Sequence, residues 1–375
     1  MRSRELGVAI GTLEPGPNDA ITDVDGVLVG HTTLIAGDGP LVIGRGPVRT
    51  GVTVIVPSTS IRSEPLFAGC HRLNGNGELT GLEWIRESGM LTTPVAITNT
   101  HSVGVVRDAL IAYDVRTRRT GDVRWSLPVV GETWDGLPND VNGQHVKPEH
   151  LFAAMDTASS GPVAEGSVGG GTGMVCHEFK GGIGTASRRV PSGFTVGVLV
   201  QANYGVRSRL RVDGVPVGDA LPTSDIPSPW EQERHVGPPP GAGSIIVIVA
   251  TDAPLLSNQC DRLAQRAGLG IGRMGGAGYN SSGDLFLCFS TGNAGALPDP
   301  DAERGEGPVS RSVERLSDAH IDPLFDAVIE ATEESILNAL LGAQTMTGRD
   351  GITAHALPPD RLVEIMARHG RMRAR

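Results

Sequence analysis

Apolar and polar positions alternate between two kinds of segment along the chain. Short runs rich in β-branched residues occupy 52–56, 95–98, 129–130, 195–201 and 245–251, and such runs read as strands. Between them, apolar residues recur at helical spacing over 79–87. A helix is also expected over 148–155, opened by Pro148 in its first turn. After the 245–251 run, Asp252 is placed to cap a helix that carries Pro254 in its first turn and runs to about Arg266. The longest helical segment is 321–341, and 359–369 closes the chain. Strands and helices interleaved in this way predict an α/β layered fold.

One stretch breaks the pattern. Residues 221–243 hold Pro222, Pro227, Pro229, Pro238, Pro239 and Pro240, with Gly237, Gly241 and Gly243. Neither a helix nor an inner strand is expected there, so the stretch reads as a surface linker. It ends at Gly243-Ser244, and the chain then enters the apolar run at once.

Composition narrows the classes. The net charge of −10 over 375 residues argues against nucleic-acid binding, which needs a basic face. The longest apolar run, 245–250, is far below the roughly 20 residues that span a bilayer. No signal peptide is read at the start, so a cytoplasmic location is the default expectation. The 52 glycines are roughly twice the average usage and lack a period, which implies tight turns and close backbone approaches. The four cysteines contain no CxxC pair, against a disulfide framework or a zinc site. Cys288, within LFLCF, reads as a small buried hydrophobe. No G-x-S-x-G elbow, HExxH or phosphate-loop lysine is present. Gly270–Gly275 spells G-x-G-x-x-G, but it follows a helical segment where a dinucleotide site needs a strand. Gly169–Gly173 is read as close packing or the wall of a pocket.

A Ser beside a flexible Gly peptide, heading a buried strand, is what an N-terminal nucleophile hydrolase needs before maturation. The Ser244 hydroxyl would attack the Gly243 carbonyl, and hydrolysis of the ester would free an α-amine. That amine has an unperturbed pKa of about 8 and can take the proton from its own hydroxyl.

The segment from Ser244, SIIVIVATDAPL, resembles the start of the smaller subunit in the family of L-aminopeptidase/D-esterases and β-peptidyl aminopeptidases, the DmpA-type peptidases. Further blocks are similar to that family in its order: ITDVDGVLVGHTTL from Ile21, LNGNGELTGLEWI from Leu73, ITNTHSVGVVRDA from Ile97, VVGETWDG from Val129, EGSVGGGTGM from Glu165, FKGGIGTASR from Phe179 and VGVLVQANYG from Val196. The resemblance implies a four-layer αββα sandwich, of the type shared with ornithine acetyltransferases and similar in architecture to Ntn hydrolases. It implies a single large domain cut between Gly243 and Ser244 into a larger subunit, 1–243, with the linker 221–243 at its end, and a smaller one, 244–375. Cut pairs are expected to assemble as tetramers.

The resemblance also assigns roles. Ser244 is the nucleophile and its amine the base. Asn203 supplies an oxyanion donor. Ser282 and Asp284 support the amine, Asp284 being one methylene shorter than the Glu known in a branch of the family. Glu132 holds the substrate's ammonium group. Trp134 stands where a Tyr is expected, and its indole can donate a hydrogen bond but not accept one. The expected substrate is a small peptide, amide or ester with a free amino group; no metal or organic cofactor, nucleic acid or membrane is implied. Two alternatives stand beside this reading: an acyltransferase of the ornithine acetyltransferase type, whose nucleophile is expected to be Thr, and an uncut small-molecule-binding scaffold.

Overall fold

The computed structural model describes residues 1–117, 125–233, 243–297 and 308–373. Two sheets lie face to face at its centre. The smaller contains β1 (Leu28–Ala36), β2 (Val48–Val56), β5 (Val95–Asn99) and β6 (Val129–Thr133), in that order. The larger runs in the order β4-β3-β12-β11-β10-β9. Its members are β3 (Leu66–Gly75), β4 (Met90–Leu91), β9 (Gly182–Arg189), β10 (Thr195–Asn203), β11 (Ser244–Thr251) and β12 (Gly283–Ser290). A small hairpin, β7 (Val175–Cys176) and β8 (Phe179–Lys180), stands apart from both.

Side-chain alternation along β11 shows why two sheets and two helical layers are needed. Ile245, Val247 and Val249 point into a core shared with Leu263, Val328 and Leu337. Ile246, Ile248 and Ala250 point the other way, into a core shared with Ile55, Val95 and Ile97 of the smaller sheet. A strand buried on both faces reads as one continuous apolar run, which is what the sequence has there. The first core is closed by α5 (Ser257–Arg273) and α6 (Asp322–Gly342). On the far side, α2 (Val103–Thr117) and α3 (Pro148–Asp156) pack Val106, Leu110 and Leu151 on Val52, Val54 and Ala96. The result is the expected αββα sandwich. Shorter helices are α1 (Leu82–Ser88), α4 (Pro229–Gln232) and α7 (Pro359–Arg368).

Helix α6 is buried almost all round, so its polar residues must find partners. Glu330 and Glu334 meet the fully buried Arg188 of β9, with Nε 3.1 Å from Glu330 Oε2. Asn338 accepts from the Ser3 N–H at 3.0 Å and donates to the Thr185 carbonyl at 3.0 Å. These bonds tie the first residues of the chain to the second half of the sandwich.

Two expectations need correction. The helix expected from Asp252 starts at Ser257, because the Asp252 carboxylate accepts from the Thr195 N–H at 2.7 Å instead of capping. It then runs to Arg273, so Gly270 and Gly272 lie inside it. A Cβ on Gly270 would sit 2.7 Å from Thr332 Cβ and 2.8 Å from the Ile329 carbonyl oxygen; the glycine permits α5 and α6 to touch and has no part in a phosphate site. Second, the stretch 221–243 does contain one helical turn, α4. Pro229 occupies its first position, where no N–H is needed, and the Ser228 hydroxyl caps it by accepting from the Trp230 N–H at 3.3 Å. Prolines 238–240 lie outside the described residues. The Gly169–Gly173 run is close packing: a Cβ on Gly170 would lie 2.2 Å from Gln201 Oε1, and one on Gly173 would lie 2.3 Å from the Arg49 carbonyl oxygen. Cys288 is fully buried and unpaired, as read. Among the described residues no helix is long and apolar enough to cross a membrane.

Candidate active site

Strand β11 lies between β10, antiparallel to it, and β12, parallel to it. Register places Ser244 opposite Asn203 on one side and Gly283 on the other. Three residues far apart in sequence thus meet at one end of the larger sheet. The Gly283 N–H donates to Ser244 Oγ at 3.0 Å and to the Gly243 carbonyl at 3.3 Å. A Cβ on Gly243 would lie 1.9 Å from the Asn203 carbonyl oxygen, so only glycine fits before the serine.

The Asn203 side chain is held at both ends. Its Oδ1 accepts from the Val175 N–H at 2.8 Å, and its Nδ2 donates to the Trp134 carbonyl at 2.9 Å. An amide nitrogen carries two protons, so one bond to Trp134 leaves a second donor. Trp134 therefore reaches Asn203 through its main chain, whereas its ring stacks on Trp230 with centroids 6.1 Å apart and planes 17° from parallel. The segment just before the expected cut thus packs on the residue that orients Asn203. Gln232 and Glu233 anchor the same segment, to Thr353 and Arg349 respectively.

Val175 is itself positioned by the β7–β8 hairpin, and there the structure shows a residue absent from the sequence reading. Lys180, one of only two lysines in the chain, is fully buried. Its Nζ donates to the Met174 carbonyl at 2.8 Å and the Gly181 carbonyl at 2.9 Å. Burial pushes its pKa down to about 7, against the pull of the Asp135 carboxylate.

Ser282 and Asp284 flank Gly283. The Ser282 hydroxyl donates to Asp284 Oδ1 at 2.6 Å, and the Ile245 N–H also bonds to that carboxyl. Burial outweighs both bonds and lifts the Asp284 pKa to about 6. The sign for stability follows. A folded-state pKa above the unfolded value favours the fold below about pH 4, and the benefit is lost as pH rises through 6. The ionised carboxylate then costs up to roughly 3 kcal/mol. In an uncut background, the stability gap between Asp284→Asn and Asp284 is expected to move in favour of Asn by about 2–3 kcal/mol between pH 4 and 7.5. Urea unfolding at the two pH values measures it; a gap independent of pH would refute the shift.

Glu132 sits on β6, in the other sheet. Its Oε1 accepts from the Glu78 N–H at 2.9 Å and its Oε2 accepts from the Thr100 hydroxyl. The side chain is buried, and burial raises its pKa despite those two bonds. Among the described residues no cation pairs with it. Gly77 touches both it and the strand partner of Ser244: a Cβ there would lie 3.0 Å from Glu132 Oε1 and 3.1 Å from Gly283 Cα. Gly77 thus packs tightly between the Glu132 carboxylate and Gly283, the strand partner of Ser244. Thr100, the Glu78 N–H and the Val175 N–H were not singled out from sequence, although Thr100 and Glu78 lie inside the quoted blocks; only the sheet-to-sheet contact shows what they hold.

The chain matches the model of peptidase family S58 over residues 19–354. It belongs to that family. The β-peptidyl aminopeptidase BapA of Sphingosinicella microcystinivorans is 48% identical over 380 residues, covering 100% of this chain and 93% of that protein. The structure of a Burkholderia sp. β-aminopeptidase superposes with a TM-score of 0.90 at 52% identity, covering 99% of each chain. The L-aminopeptidase D-Ala-esterase/amidase of Ochrobactrum anthropi, described as a prototype for the serine aminopeptidases and a variant of the Ntn hydrolase fold, superposes with a TM-score of 0.88 at 41% identity over 99% of each chain. This S58 chain is accordingly a hydrolase, an aminopeptidase with an Ntn-type fold. Neither the acyltransferase nor the non-catalytic scaffold gains support from these matches.

Proposed function

We propose that this S58 aminopeptidase matures by cutting its own Gly243–Ser244 bond and then releases N-terminal residues from small peptides, amides or esters through an acyl-enzyme on Ser244. In the first step Ser244 Oγ attacks the Gly243 carbonyl carbon. The C–N bond breaks, the nitrogen gains the hydroxyl proton, and an ester replaces the amide. Water then frees the Gly243 carboxylate and restores the hydroxyl. The Gly283 N–H, already on the Gly243 carbonyl oxygen, is suited to the charge that develops there.

In turnover the new amine accepts the Oγ proton as Oγ attacks the substrate carbonyl. The free proton of Asn203 Nδ2 stabilises the oxyanion. The protonated amine faces the Ser282–Asp284 pair, whose carboxylate is stabilised by that charge. The proton passes to the leaving amine, and water repeats the sequence on the ester. Glu132 binds the ammonium of the substrate, which restricts cleavage to the first residue. The observation that carries this reading is a buried carboxylate that pairs with no cation among the described residues and shares the neighbour Gly77 with Gly283, the strand partner of Ser244. A buried ion of that kind is costly unless a ligand supplies the opposite charge. The similarity to β-aminopeptidases favours β-amino acyl substrates, and the reading includes the assembly of cut pairs that the resemblance implies.

The test is a p-nitroanilide assay on purified protein, run beside intact-mass measurement. Fragments 1–243 and 244–375 are expected, with release of p-nitroaniline from β-alanyl but not N-acetyl-β-alanyl substrate. Equal hydrolysis of the blocked substrate would refute the role of the free amine.

A further inference from the structure

Lys180 plays no part in the mechanism above, yet the β7–β8 hairpin aims it at the peptide unit that holds Asn203. Register pairs Lys180 with Val175. The two-residue turn between the strands, His177 and Glu178, has φ of 48° and 63°, the left-handed pair that a tight hairpin requires. The Lys180 side chain is fully buried. Its Nζ donates to the carbonyls of Met174 at 2.8 Å, Gly181 at 2.9 Å and Gly171 at 3.4 Å. Three acceptors match the three protons of an ammonium group, where a neutral amine has only two. Among the described residues no carboxylate forms an ion pair with it, so its charge falls on those carbonyls.

One of these bonds has a direct consequence. The Met174 carbonyl and the Val175 N–H belong to the same peptide unit. The carbonyl accepts from Lys180, and the N–H donates to Asn203 Oδ1 at 2.8 Å. A second donor, the Gly181 N–H, reaches the Met174 carbonyl at 2.8 Å and holds the peptide plane. Asn203 Nδ2 in turn carries the proton that its bond to the Trp134 carbonyl leaves free. A cation, a peptide unit and a side-chain amide thus stand in series. Met174, Val175 and Asn203 are all buried, so water does not compete for these groups. A positive charge on a carbonyl oxygen draws electrons from the N–H of the same peptide, and bonds in such a chain strengthen one another.

We propose that Lys180 is a positioning residue for hydrolysis: through the Met174–Val175 peptide unit, its ammonium group orients and polarises the Asn203 amide as the donor to the oxyanion. The inference rests on the reading of Asn203 as that donor. The lysine never touches the substrate. It acts where charge develops, so it lowers the barrier and leaves ground-state binding alone. A neutral side chain of similar length removes the charge; the Val175 N–H then donates more weakly.

Lys180→Met is expected to lower kcat for β-alanyl p-nitroanilide about tenfold with KM changed by less than about twofold, a smaller loss than the roughly 10² to 10³ expected for Asn203→Ala. Both chains are expected to be cut, since the donor on the Gly243 carbonyl is the Gly283 N–H; intact mass checks this. In the Asn203→Ala background Lys180→Met is expected to cost less than about twofold more, because its route to the oxyanion is already broken. An unchanged kcat in Lys180→Met, a loss carried by KM, or losses that multiply in the double variant would overturn the proposal. Unchanged kcat in Asn203→Ala would overturn the reading of Asn203 and this inference with it, while leaving the aminopeptidase intact. A second measurement needs no lysine variant. Burial holds the Lys180 pKa down to about 7, with Asp135 and Cys176 the titratable groups that act on it. Wild-type kcat is therefore expected to fall on the alkaline side as the ammonium loses its proton, and that limb is expected to vanish in Asn203→Ala. An alkaline side that is the same in both chains, flat or falling, would overturn the proposal.

Discussion

Ser244→Ala is expected to yield one uncut chain of 375 residues and to lose turnover by about 10⁴-fold or more. In the proposed mechanism the two losses share a cause, since there one hydroxyl opens the chain and later carries the acyl group. The geometry leaves little room for a substitute. Ser244 Oγ is held at 3.0 Å by the Gly283 N–H, and the Gly243 carbonyl is held by the same donor at 3.3 Å. No other hydroxyl occupies the strand position that faces both Asn203 and Gly283. Without the hydroxyl the amide survives, the α-amine never appears, and the Ser282–Asp284 pair stays without its cation. Mass spectrometry reports the cut and a p-nitroanilide assay the turnover. Two fragments from the Ala variant would mean that a different group, or an external protease, cuts the chain. Retained turnover in an uncut chain would remove the amine as base.

How much of this site was legible in sequence depends on the range of the forces that build it. The 245–251 run is apolar because β11 is buried on both faces, and burial of that kind leaves a mark at every position. Ser244 could be placed at its head for the same reason. The coincidence of Asn203, Ser244 and Gly283 is a matter of register, set by pairing with two other strands, and no single segment encodes it. The same holds for Thr100 and the Glu78 N–H, which hold Glu132 across a sheet. Helix α2 escaped the periodicity reading because it keeps apolar residues on its outer face: Val115 is 59% exposed while Val106 and Leu110 are buried. The start of α5 was misplaced by a competition invisible locally, since the Asp252 carboxylate serves the Thr195 N–H of a neighbouring strand. Lys180 left no signal beyond its rarity; of its three possible acceptors, the Gly171 and Met174 carbonyls are brought in by the Gly-rich segment and the third is on Gly181, next to it in the chain.

Glu132→Gln is expected to lower kcat/KM for free-amine substrates by roughly 10² to 10³, the size of effect seen when one partner of a desolvated charge pair is removed. The isosteric amide can still accept from Thr100 or the Glu78 N–H, so the loop geometry has reason to persist and the charge is what changes. In the empty site, burial raises the Glu132 pKa, which means that ionisation is resisted until a cation arrives. An incoming ammonium supplies that cation and pulls the pKa back down. The pH dependence follows with a definite sign. As pH falls through the raised pKa of the free enzyme, the carboxylate takes a proton, the attraction is lost, and wild-type kcat/KM declines on the acid side. Gln has no proton to gain there, so the part of the acid limb owed to Glu132 should vanish in the variant, leaving only what Asp284 and the amine of Ser244 contribute. The discrimination between free and acetylated substrates should shrink in step, because it comes from the same charge. A Gln variant that keeps both its acid limb and its preference for a free amine would place the ammonium elsewhere, and with it the geometry that confines cleavage to the first residue.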